Sequence, residues 1–205
     1  MARLTDGNVA LARDIISRYP KARSATIPLL HLAQEQDGYI TNDAMAHIGE
    51  LVGATPAEVY GTCTFYEMFK MEPVGRYVLN ICMTMSCALL GADELMHHAE
   101  QRLGIKAGST TPDGLITLEH AECQAACTEA PCLQVNYRFR YRVTNDAIDG
   151  LIDDLRAGRL RAEIPPHGTV ARVRQQIPAD RKVGAVPPET VTVAPVWMTP
   201  AQATV

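Results

Sequence analysis

The residue pattern predicts an α+β chain in three stretches: helical residues 1–72, an α/β region over 73–160, and a proline-rich extension over 161–205. Three observations carry this. Apolar residues recur at helical spacing in four short runs before residue 70. After Glu72-Pro73-Val74-Gly75 the pattern changes to strand-like runs alternating with amphipathic ones. Beyond residue 160, Pro165, Pro166, Pro178, Pro187, Pro188, Pro195 and Pro200 preclude long helices.

Ala12, Ile15, Ile16 and Tyr19 place a first helix over 8–19, stopped by Pro20. Ser24 is the expected cap of a second, with Pro28 in its first turn and Gly38 at its end. A third runs from Thr41 to Gly53, with Met45, Ile48, Leu51 and Val52 on one face. Thr55-Pro56-Ala57-Glu58 is a capping box with proline at the first helical position, and it opens a fourth. Four short amphipathic helices with brief connections make an N-terminal four-helix bundle, and helices this short need tertiary burial to persist.

Glu72 to Gly75 reads as a hinge. Tyr77 to Ile81 then forms a strand, and Leu89, Ala92, Leu95, Met96 and Leu103 mark one helix that Gly104 terminates. Thr111-Pro112-Asp113-Gly114 is a turn before a second strand, Leu115 to Ala121. Leu133, Val135 and Tyr137 alternate as a third, and Arg138 to Val143 is the expected hairpin. Thr144 caps a last helix carrying Ile148, Leu151, Ile152 and Leu155. In the extension, Val193, Val196 and Trp197 offer apolar anchors, so the segment is expected to lie over a partner's surface.

A chain of 205 residues with 47% hydrophobic and 20% charged residues suits a soluble globular protein. A formal net charge of -4 provides no basic footprint for nucleic acid. No apolar run reaches the ~18 residues of a spanning helix, so direct membrane insertion is not expected. The polar start, Met1 to Asp6, lacks a signal core, which predicts a cytoplasmic location. In a reducing compartment the six cysteines read as metal ligands or redox groups rather than disulfides.

Four of them organise the chain: Cys82 and Cys87 follow one strand, Cys123 and Cys127 the next. Two strand-end loops can therefore meet over one spot. Four thiolates suit a tetrahedrally ligated centre, either structural zinc or an iron-sulfur cluster. Zinc knuckles use two-residue gaps, whereas the gaps here are four and three residues, which favours the wider 2Fe-2S rhomb. A redox dithiol would also need a two-residue gap.

Cys82-Met83-Thr84-Met85-Ser86-Cys87, with Glu122-Cys123-Gln124-Ala125-Ala126-Cys127-Thr128-Glu129-Ala130-Pro131, resembles the thioredoxin-like 2Fe-2S subunits of the NADH dehydrogenase module of bacterial respiratory complex I. The likeness extends to Gly38-Tyr39-Ile40, Thr64-Phe65-Tyr66 and Val135-Asn136, covering roughly residues 10 to 160. It implies a thioredoxin-like ferredoxin domain and one 2Fe-2S cluster held by Cys82, Cys87, Cys123 and Cys127. It further implies a hetero-oligomer in which a partner subunit binds NADH and FMN and a larger iron-sulfur subunit of the peripheral arm carries electrons on. Such a chain works peripherally at the inner face of the membrane. Similar subunits serve NAD-linked formate dehydrogenases and hydrogenases. A free-standing thioredoxin-like ferredoxin and a zinc-stabilised interaction module are the other classes the residues allow.

Cys63 reads as a packing residue of the fourth helix. Cys132 reads as a strand residue packed near the cluster, the alternative being that it replaces Cys127 as ligand. The histidines show no Rieske pattern. Arg138, Arg140 and Arg142 alternate as a charged edge, or as a docking patch for an acidic partner. No glycine loop for phosphate and no Ser-His-Asp pattern occurs, so the chain itself is expected to bind neither nicotinamide nor flavin.

Overall fold

A computed structural model describes residues 3–169. The expected anchors Val193, Val196 and Trp197 lie outside the described residues. Within them, helices and a mixed five-stranded sheet make an α+β architecture.

The first helix, α1 (Asp6–Ser17), starts two residues earlier than its apolar pattern, because the Thr5 side chain accepts from the Asn8 N–H and caps it there. Ser24 is not the second cap. It lies in a single 3₁₀ turn (Ala22–Ala25) that runs directly into α2 (Thr26–Asp37), so no side chain caps that helix. Gly38 closes α2 with φ 80, a left-handed value that glycine adopts without steric cost. Helix α3 (Asn42–Val52) is capped by Thr41, and α4 (Pro56–Phe65) by the complete Thr55–Glu58 capping box. These helices share one apolar core, including Leu29, Leu30, Ile40, Met45, Ile48, Val59, Cys63 and Phe69.

The sheet order is β2-β3-β1-β4-β5. Strand β1 (Tyr77–Cys82) lies parallel to β3 (Ile116–Ala121), with Cys82 opposite Ala121. Strand β4 (Leu133–Val135) runs antiparallel to β1, and β5 (Arg138–Arg140) antiparallel to β4. The two-residue β2 (Ser109–Thr110) edges β3. Between β1 and β3 the single expected helix is two, α5 (Met85–Leu89) and α6 (Ala92–Leu103). Gly91, at φ 94, separates them, and Leu89 consequently points to solvent instead of joining the core. Helix α6 and α7 (Asn145–Arg156, capped by Thr144) pack on one sheet face around Leu79, Ile81, Ile116, Leu118, Leu133, Leu95, Ile148 and Ile152.

The hairpin is displaced from its expected place. Strand β4 stops at Val135, and Asn136 and Tyr137, both at positive φ, form the two-residue turn into β5. Asn136 is buried there: its Oδ1 accepts from the Val78 N–H at 2.8 Å, and its Nδ2 donates to the carbonyls of Arg76 at 2.9 Å and Pro165 at 2.8 Å. Residues 161–169 return to the sheet, with Ile164 in its core and the His167 N–H donating to Arg76. Burial pushes His167 down to about 4, so its ring is neutral at pH 7.

Gly75 is clamped rather than hinge-like. A Cβ there would lie 2.9 Å from the backbone of Leu115 and Ile116, and its N–H donates to Thr117 Oγ1 at 2.6 Å. Lys70 Nζ pairs with Glu119 Oε2 at 2.6 Å, and Tyr137 Oη donates to the Met68 carbonyl, so the segment after α4 is tied to the open face of the sheet.

Candidate metal centre

The two expected loops meet because β1 and β3 are parallel neighbours ending level with each other. Their chain continuations emerge together, and the Met83 N–H donates to the Ala121 carbonyl at 3.0 Å across the gap. Cys82 is the last residue of β1, and Cys87 sits in α5 with its N–H donating to the Thr84 carbonyl. Cys123 and Cys127 follow β3 on a loop that Ala125, at φ 58, turns sharply before a 3₁₀ turn from Cys127 to Glu129.

All six cysteines are free thiols. Cys123 and Cys127 are exposed with sulfurs 3.8 Å apart, while Cys82 and Cys87 are buried. A third buried thiol joins the inner pair: Cys132 Sγ lies 3.8 Å from Cys87 Sγ, and the sulfurs of Cys82, Cys87 and Cys132 are all within 4.8 Å of one another. A disulfide would need about 2.05 Å. Two thiolates on one tetrahedral metal at about 2.3 Å stand about 3.8 Å apart, so both close pairs have the spacing of shared ligation. Among the described residues no carboxylate or imidazole joins this group. An all-sulfur donor set suits iron-sulfur clusters and zinc rather than hard cations.

Two residues that periodicity could not single out shape the electrostatics. Thr84 leaves α5 uncapped by its side chain and instead brings Oγ1 to 3.6 Å from Cys82 Sγ. Gln124 donates its Nε2 to the Asn80 carbonyl at 3.0 Å and accepts from Cys132 Sγ at 3.7 Å. Their signal in the sequence was only position, a hydroxyl two residues after Cys82 and an amide next to Cys123. Burial pushes the Cys82 thiol up, but the backbone N–H groups of Gln124 and Thr84 and the Thr84 hydroxyl outweigh it and bring the thiol down to about 7. The Ala125 N–H, then the Cys127 thiol and the Thr84 hydroxyl, hold Cys123 below its ordinary value. Burial raises Cys87, and pushes Cys132 up to about 12. Cys63, in the core of the N-terminal helices, rises for the same reason to about 11. The lowered thiols of Cys82 and Cys123 suit metal-sulfur ligation, which takes the thiolate form.

Two of the three arginines of the expected charged edge pair within the chain. Arg140 pairs with Glu163 at 2.6 Å and Arg142 with Glu129 at 2.8 Å. Arg142 also leaves the strand at φ 48, so the expected three-arginine face does not form.

Fold and thiols define a small α+β protein with clustered thiols at the ends of two parallel strands. Residues 12–156 match the model of the thioredoxin-like [2Fe-2S] ferredoxin family, and the chain belongs to that family. It is 39% identical over 151 residues to a subunit of the NADH-quinone oxidoreductase of Mycobacterium tuberculosis, matching 74% of this chain and 60% of the relative. It is also 39% identical over 154 residues to NADH-quinone oxidoreductase subunit 2 of Thermus thermophilus, matching 85% of that protein. The matched stretch thus spans less than two thirds of the mycobacterial relative. The NAD+-reducing [NiFe]-hydrogenase in its H2-reduced state shares the fold at TM-score 0.61 and 22% identity, over 83% of this chain and 29% of the hydrogenase chain.

Proposed function

We propose that the chain is the electron-transfer subunit of the NADH dehydrogenase module of a respiratory complex I, with one 2Fe-2S cluster ligated by Cys82, Cys87, Cys123 and Cys127. What supports this is the group of buried thiols Cys82, Cys87 and Cys132 within 4.8 Å of one another at the end of β1, with the Cys123–Cys127 pair at 3.8 Å on the loop that follows its parallel neighbour β3. When bound, such a cluster supplies a one-electron store without bond chemistry. The chain's residues do the rest. The N–H groups of Thr84, Gln124 and Ala125 face the sulfurs and favour their charged state. The inner thiols lie out of water, which opposes added charge, so burial and amide dipoles together set the potential.

In this reading a partner subunit binds NADH and FMN and exchanges single electrons with the centre, while a larger iron-sulfur subunit passes electrons towards quinone. Names of the relatives support it. So does the surface: Met85 and Leu89 on α5 are 79% and 82% exposed beside Cys87, apolar area that suits a subunit contact better than water. Among the described residues no helix is long and apolar enough to cross a membrane, which accords with a peripheral place at its inner face. Residues 1–72 are proposed as a four-helix bundle, 73–160 as the thioredoxin-like domain and 161–205 as an extension serving assembly. The separate apolar cores of helices and sheet support the division after residue 72, whereas Ile164 belongs to the sheet core and carries residues 161–169 with the second domain. A second reading, the equivalent subunit of an NAD-linked hydrogenase or formate dehydrogenase, draws on the fold shared with the hydrogenase. A free-standing ferredoxin would not need α1 to α4.

The test uses the full chain and its native complex. The isolated, dithionite-reduced chain is expected to show the EPR signal of one unpaired electron, with iron and acid-labile sulfide in equal amounts. A colourless chain holding zinc and no labile sulfide would refute the cluster. Copurification with a flavin subunit that oxidises NADH is expected, and copurifying nickel or molybdenum subunits would refute membership of complex I.

A further inference from the structure

Building on that ligand reading, we infer that the buried half of the centre carries one thiol more than it needs. Cys132 is a built-in replacement ligand for Cys87 or Cys82, whereas the exposed pair has no substitute.

The inner side of the site presents three sulfurs, all within 4.8 Å of one another, for two coordination positions. Of these, Cys132 and Cys87 already stand at 3.8 Å, the separation two thiolates take on one tetrahedral metal. Cys132 needs no loop movement to stay there. Its carbonyl accepts the Cys82 N–H at 3.2 Å, and the next residue, Leu133, pairs with Ile81 in the sheet. Its backbone is therefore positioned by β1, independently of α5 and of the loop that carries Cys123.

What holds Cys132 in reserve is also visible. Its S–H points to Gln124 Oε1 at 3.7 Å, and Gln124 is itself anchored through Nε2 to the Asn80 carbonyl. This hydrogen bond holds the Cys132 side chain beside the inner pair. If one of them is removed, Cys132 forms the metal-sulfur bond and its proton leaves to solvent, with the electron count of the cluster unchanged. No such spare serves the outer pair. The one other cysteine, Cys63, is buried in the core of the N-terminal helices.

The experiment compares full-length variants reconstituted with ferrous iron and sulfide, read by iron and labile sulfide per chain and by EPR. Alanine is used so that no oxygen ligand is introduced. Cys87→Ala is expected to retain roughly half or more of the wild-type iron and sulfide with altered g values, while Cys87→Ala/Cys132→Ala and Cys123→Ala each lose about tenfold or more. Cys63→Ala serves as the unchanged control. The inference is overturned if Cys87→Ala is as empty as Cys123→Ala, or if the double variant is no emptier than Cys87→Ala. Should Cys87→Ala fail to fold by circular dichroism, Cys82→Ala, alone and with Cys132→Ala, makes the same comparison; misfolding of both single variants also overturns the inference. Retention of the cluster by Cys123→Ala instead sinks the ligand reading itself, so the two failures are told apart.

Discussion

Replacing Asn136 by alanine removes the polar staple that joins the β4–β5 turn to β1 and to the segment returning at Pro165. Val78 is 1% exposed, so its N–H loses its partner with little access to water, at about 1–3 kcal/mol. The Arg76 carbonyl still receives the His167 N–H at 2.7 Å, so its loss is small, and the Pro165 bond contributes about 1 kcal/mol. Alanine at φ 45 adds about 1 kcal/mol of left-handed strain that asparagine tolerates better. The total is about 3–5 kcal/mol, measured as the loss of unfolding free energy in urea. Asn136→Gly separates the contributions, because it removes the hydrogen bonds without the strain. It is expected to lie about 1 kcal/mol above the alanine variant. A loss under about 1 kcal/mol in Asn136→Ala would show that water or neighbouring groups satisfy Val78, and the reasoning would fail.

Two further outcomes are expected. Glu58 is held down to about 2, chiefly by the Thr55 N–H and then the Thr55 and Arg23 side chains. A depressed carboxyl stabilises the fold above its unfolded value, near 4.5, and loses that effect as pH falls towards 2. Wild type and Glu58→Gln should therefore differ in thermal midpoint at pH 6 and converge by about pH 2; a gap independent of pH would contradict the assignment. Gly75→Ala should destabilise by about 2 kcal/mol or more, because the new methyl meets backbone on β3 at 2.9 Å rather than a side chain that can turn away. An unchanged denaturation midpoint would show that the 72–75 segment yields freely, as a hinge would.

Local chemistry made much of the fold legible. Thr41, Thr55 and Thr144 mark helix starts, since a capping hydroxyl acts within three residues of itself. Strands β1 and β3 are apolar runs buried on the sheet, and their pattern was enough to place a cysteine loop after each. Two local signals misled, one overridden by a neighbouring glycine and one by contacts distant in sequence. Leu89 fits a helical stripe, yet Gly91 breaks that helix so that α5 can carry Cys87 to the strand ends. Tyr137 continues an alternating strand pattern, yet Asn136 finds its partners on Val78 and Pro165 and turns the chain first.

Residue order alone was enough for the helix starts set by caps, the presence of two strand-loop units, and which four cysteines follow those strands. Packing was needed to establish that the strands are parallel neighbours ending level, that Cys132, already expected near the cluster, lies within 4.8 Å of Cys82 and Cys87, and that Thr84 and Gln124 face the sulfurs. The division follows range: caps and periodicity are set by neighbours along the chain, whereas register between β1, β3 and β4 depends on side chains that come together only in the folded sheet.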